Sequence, residues 1–139
     1  MPPTLADRVR HIWDAIREIE LALAAVSYEQ FSTNLLLRLA IERLLEIVCE
    51  ASKYIPADVK AAEAQIPWQK ISDFGNRLRH AYHEIDSGIV WQSRSMILSR
   101  SRSSSNVSFE MQAKNYSDAQ QAARPRACRR RVTDAVLSQ

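Results

Sequence analysis

Glycine is nearly absent from this chain: two in 139 residues, alongside five prolines. So few breakers exclude a turn-rich sandwich or barrel and leave helices as the default. Cysteine is equally scarce. Cys49 and Cys128 are too few for a disulfide framework or a structural zinc site, which suits a reduced, cytoplasmic protein. No apolar run approaches the roughly 18 residues needed to span a bilayer, so no membrane segment is expected. Met1-Pro2-Pro3-Thr4 opens the chain with neither a basic n-region nor an apolar h-region, so no signal peptide is expected either. There is no alternating strand pattern and no internal repeat.

What the chain has is an ordinary globular composition, 46% hydrophobic and 25% charged, sufficient for one modest core. The net charge of +3 conceals an asymmetry. Residues 1–92 sum to −3 and residues 93–139 to +6, so the basic pI belongs to the tail and is no argument for nucleic-acid binding by the body. The tail holds 10 serines interleaved with arginine, as in Ser99-Arg100-Ser101-Arg102-Ser103, with sparse, aperiodic apolar residues. The expected organisation is a helical domain over 1–92 and an irregular, disordered or aberrant Ser/Arg tail over 93–139. Two origins stay open for that tail. It is either an altered C-terminus, as a frameshift would give, or a genuine basic arm for RNA phosphates.

Within 1–92 the apolar residues recur at spacings of three and four. Leu5, Val9, Ile12, Ile16, Ile19, Leu23 and Val26 predict a first helix, opened by a Thr4/Asp7 capping box. Leu37, Ala40, Ile41, Leu44, Ile47, Val48, Ala51 and Ile55 predict a second, from about Ser32 until Pro56 stops it. A short third piece follows over Asp58–Gln65. A fourth helix runs from Pro67 to about Ile85, and a last one, capped by Asp86-Ser87-Gly88, starts near Ile89. The fold class is all-α, an up-and-down bundle of four to five helices. Trp13 and Trp91 read as core, Trp68 as a packing residue, His11 as a surface or boundary residue. Glu42, Glu46 and Glu50 line one face of the second helix. A carboxylate metal site would need Glu-x-x-His partners, and the chain contains none, so no metal or other cofactor is expected.

One segment carries more chemistry than burial requires: Asn76, Arg77, Arg79, His80, Tyr82 and His83 within eight residues. On a helix Asn76 and His80 share a face, Arg77 meets His80, His80 meets His83, and Arg79 pairs with Tyr82. Imidazole beside guanidinium suits RNA phosphodiester cleavage. The histidine moves a proton near neutral pH, the arginine stabilises charge on the transition state, and the 2′-hydroxyl supplies the nucleophile without a metal.

The run Gly75-Asn76-Arg77-Leu78-Arg79-His80-Ala81-Tyr82 follows Ile66-Pro67-Trp68 and precedes Ile85-Asp86 and Val90-Trp91. It resembles the HepT-like toxins of the HEPN superfamily, and Cys49-Glu50-Ala51-Ser52 resembles their Gly-Glu-Ala segment. The resemblance covers roughly residues 5–92. It implies a HEPN-like helical bundle that forms a homodimer, a metal-independent endoribonuclease acting on RNA, and a MntA-like nucleotidyltransferase antitoxin as partner. Carried onto this chain, His80 is the catalytic histidine, Asn76 the polar residue of the signature and Tyr82 the tyrosine that accepts AMP from the antitoxin. The family arginine commonly lies five residues before the histidine, where this chain has Gly75. Arg79 or Arg77 is then the candidate guanidinium. The alternative is a catalytically inactive HEPN-like binding partner of a nucleotidyltransferase.

Overall fold

The first apolar stripe winds into α1, Leu5–Leu23, and buries Val9, Ile12, Ile16, Ile19 and Leu23. Its start is the expected capping box: Asp7 N–H donates to Thr4 Oγ1 at 3.1 Å, and Thr4 N–H donates back to Asp7 Oδ2 at 2.9 Å. The computed structural model describes residues 1–101, with side chains through Leu98, and beyond them only positions 111, 114–116, 118–119 and 122–123, which are helical. The rest of the expected tail lies outside the described residues.

A short α2, Tyr28–Thr33, precedes α3, Leu35–Lys53. Periodicity did not reveal α2, because six residues make fewer than two turns. Its signal was local: Ser27 and Gln30 form a second capping box. Asn34 then caps α3 by accepting from Leu37 N–H at 3.0 Å. α3 is the central helix, packed against α1 and α5. Its buried face is Ile41, Leu45, Val48, Cys49, Ala51 and Ser52, while Ala40, expected on the stripe, is exposed.

Pro56 opens α4, Ala57–Ala62, and after Pro67 comes α5, Trp68–His80. Trp68 packs as expected. Its indole N–H lies 3.1 Å from the carbonyls of both Lys60 and Glu63, tying α5 back to α4. The helix stops five residues short of the expected Ile85. Ala81 leaves helical geometry at φ −126° and ψ 38°, and a 3-10 turn spans Tyr82–Glu84. Asp86 then caps α6, Ser87–Ser101, accepting from Ile89 N–H at 2.9 Å. α6 passes straight through position 92 and buries Val90 and Ile97 against the core. The change of composition after Gln92 therefore falls inside a helix. Trp91 is half-buried, tilted against Phe31 (centroids 5.2 Å apart) and edge-on to Tyr28 (5.7 Å), which seats α2 on α6.

Four long helices, α1, α3, α5 and α6, thus form an all-α bundle bridged by α2 and α4, with no strand among the described residues. None of their helices is long and apolar enough to cross a membrane.

Candidate functional site

α5 divides along its length. Ile71, Phe74 and Gly75 face α3 and are buried. The polar run that follows rises out of the bundle: Asn76, Arg77 and His80 are exposed and Arg79 is half-buried. Three basic residues in the last turn, Arg77, Arg79 and His80, sit where the helix dipole is negative, which favours the helix they end.

Of the residues expected to act together, the structure joins two directly. Arg79 Nη2 donates to Asn76 Oδ1 at 2.9 Å. Its other terminal nitrogen reaches the acidic line of Glu42, Glu46 and Glu50: Arg79 Nη1 donates to Glu50 Oε2 on α3, also at 2.9 Å. Glu50 Oε2 lies 3.2 Å from Lys53 Nζ as well. Glu50 could have been found from the Cys49-Glu50-Ala51 resemblance, but nothing in spacing along the chain pairs it with a residue 29 positions away. The rest of the acidic line is also matched by cations, Glu42 by Arg38 at 3.5 Å and Glu46 by Arg43 at 2.6 Å. Among the described residues no group of three His, Cys, Asp or Glu side chains is arranged to hold a metal.

His80 is the last residue of α5, beside Arg79 in the chain. It is exposed, and among the described residues its side chain makes no hydrogen bond or ion pair. Arg77 is exposed and also unpaired there. Because α5 ends at His80, the expected helical pairings His80 with His83 and Arg79 with Tyr82 are not formed as helix neighbours. Tyr82 and His83 belong to the 3-10 turn and lie edge to face with each other, ring centroids 5.7 Å apart. Tyr82 is 74% exposed.

The position of the expected arginine is closed. Gly75 is buried, and a Cβ placed on it would come within 2.7 Å of Cys49 Cβ. Cys49 itself is a buried, un-ionised thiol, pushed up to about 12 chiefly by burial. Any guanidinium at this site comes from another position. Arg79 supplies one at the edge of an open cleft of about 450 Å³ between α1, α3 and α5, which Arg8, His11, Arg43 and Glu46 also line. Arg8 lies over the Tyr54 ring, 3.8 Å from its centroid.

Comparison with known proteins agrees with the motif. The family model for HepT-like ribonucleases matches residues 12–101. A protein named probable ribonuclease HepT from Thermococcus cleftensis is 35% identical over 86 residues, covering 62% of this chain and 78% of that protein. Two proteins from Methanocaldococcus jannaschii that carry RNase names are 36% and 33% identical over 67 residues, which is 48% of this chain and 62% and 55% of theirs. This chain thus spans somewhat over half the length of the latter two. No solved structure matches.

Proposed function

This chain belongs to the HepT-like ribonuclease family, and from that membership we propose that it is the toxin of a HepT/MntA-type toxin–antitoxin pair, a metal-independent endoribonuclease acting in the cytoplasm. The observation that carries the assignment to particular residues is the guanidinium of Arg79, held by Asn76 and Glu50, with the exposed His80 following it in the chain.

In the proposed reaction His80 takes the proton from a ribose 2′-hydroxyl. The 2′-oxygen bonds to phosphorus, the bond to the 5′-oxygen breaks, and the leaving oxygen receives a proton from imidazolium or water. Arg79 stabilises the charge that builds on the non-bridging oxygens. Arg77, exposed and unpaired at the same helix end, contributes a phosphate contact. Two copies of the site would face one RNA groove in a homodimer. Supporting this, α3 leaves Leu36 and Leu39 exposed at 79% and 47%, and an open groove runs between α3 (Leu44, Ile47) and α1 (His11, Glu18). Tyr82 is the residue on which the MntA-like partner would place AMP. Its oxygen attacks the α-phosphate of a nucleoside triphosphate and pyrophosphate leaves, and its exposure favours that reading.

The test is RNA cleavage by the purified protein in excess EDTA, with His80→Ala, Arg79→Ala and Arg77→Ala beside it. Cleavage that survives EDTA and is lost in His80→Ala is expected, with Arg79→Ala more impaired than Arg77→Ala. Retained cleavage in His80→Ala removes the assignment. One observation favours a second reading, a non-catalytic partner of a nucleotidyltransferase: Gly75, where the family carries its arginine, is packed shut against Cys49. A folded wild-type protein that cleaves no RNA yet accepts AMP on Tyr82 is the outcome that selects it.

A further inference from the structure

Gly75 stands in the middle of α5 with no turn to make. No glycine here has a positive φ, so its conformational freedom is unused, and a helical glycine is destabilising relative to alanine. What the position uses is the missing Cβ. An alanine methyl would lie 2.7 Å from Cys49 Cβ, an atom fixed to the α3 backbone, and 3.6 Å from Arg79 Nη2. The glycine lets α5 approach α3 more closely than two ordinary side chains allow. On either side of that contact the chain continues directly into the polar group: Glu50 follows Cys49 on α3, Asn76 follows Gly75 on α5, and Arg79 lies one turn further along.

From this we infer that Glu50 is a positioning residue for Arg79, and that the Gly75–Cys49 contact sets the helix spacing at which the two meet. The inference rests on the ribonuclease reading of the site and deepens it. A free arginine samples many rotamers, whereas one held at both terminal nitrogens presents a fixed plane. Of its five N–H donors, Glu50 and Asn76 occupy two, which leaves three for a phosphate. The carboxylate does not cancel the guanidinium, because the same Glu50 oxygen is shared with Lys53 at 3.2 Å. The buried thiol of Cys49 stays neutral and adds no negative charge beside it. Glu50 thus fixes where the cation points while the local balance stays positive.

The experiment is a double-mutant cycle on RNA cleavage, with thermal unfolding recorded for every variant. Glu50→Gln is expected to lower kcat about tenfold, to leave KM within about twofold, and to have no further effect in the Arg79→Ala background. Gly75→Ala is expected to lower kcat similarly and to recover when combined with Cys49→Gly, which removes the clashing Cβ. An equal loss from Glu50→Gln in both backgrounds overturns the inference, as does a gain of activity, which would make Glu50 a mask on the cation. Should Gly75→Ala not fold, Glu50→Gln and its cycle decide alone. A wild-type protein that cleaves nothing refutes the proposed function but still leaves a readout. Rotation about the Arg79 Nε–Cζ bond, followed by nitrogen NMR, is expected to be slow in wild type and fast in Glu50→Gln. Fast rotation in wild type overturns the positioning role.

Discussion

The two halves of α5 are built from one continuous helix yet obey different constraints. From Trp68 to Gly75 the helix is held by burial, with Ile71 at 3% and Phe74 at 5% exposure against α3. From Asn76 to His80 its side chains are exposed or half-buried. Apolar area removed from water stabilises the first half. In the second half Leu78 packs, part-buried, against the core, and the Arg79–Glu50 pair ties the helix end to α3. A protein that performs chemistry at a helix end can place reactive side chains there without weakening its core, provided the buried half anchors the helix. Stability and activity should therefore separate along α5, and substitutions on either side of Gly75 can test that separation.

The largest effect is expected in the anchored half. Phe74→Ala should cost about 3–5 kcal/mol of unfolding free energy, measurable by denaturant titration, and should reduce activity only through loss of folded protein. In the exposed half His80→Ala should reduce RNA cleavage about 10²- to 10⁴-fold while unfolding free energy stays within about 0.5 kcal/mol of wild type. A large destabilisation in that variant would break the comparison, since it would mean the helix end is structural.

The contact between the halves and α3 has a pH signature of its own. In the unfolded chain the Cys49 thiol ionises near its ordinary value of 9.0, while in the folded protein it keeps its proton to about 12. Between those values the unfolded state binds fewer protons, so stability should fall as pH rises, by up to about 1.4 kcal/mol per unit. Cys49→Ala should flatten that slope, which unfolding curves from pH 8 to 11 would measure. The smallest change is expected just past the helix end. Tyr82→Phe should leave stability within about 0.5 kcal/mol and RNA cleavage near wild type, and should abolish labelling with AMP by a MntA-like nucleotidyltransferase. Mass spectrometry of the product decides that point.

Much of this architecture follows from the residues taken in order. The spacing of Val9, Ile12, Ile16 and Ile19 makes α1 amphipathic whatever it packs against. Thr4 with Asp7, and Asp86 before Ile89, cap their helices through contacts three residues long. Pro56 and Pro67 mark the starts of α4 and α5, where a helix needs no backbone donor. The polar run containing His80 and Tyr82 was visible as an excess of hydrogen-bonding side chains over what burial needs. Elements that depend on few residues were harder to read. α2 is too short to show a period, and α5 ends at His80 without glycine or proline to mark the stop. Gln92 looked like a boundary because serine and arginine begin there, but α6 continues across it to bury Ile97.

The candidate site divides in the same way. The sequence by itself determined that Asn76, Arg79 and His80 lie within five residues on a helix, because hydrogen bonding between near neighbours dictates helical spacing. Only the tertiary structure decided that Glu50 is the partner of Arg79. That pairing depends on how closely α5 approaches α3, and the approach is set by Gly75 against Cys49, atoms that nothing local brings together. Periodicity specifies which face of a helix is apolar. It does not specify the distance or rotation at which two such faces meet, and the position of a guanidinium between them depends on both.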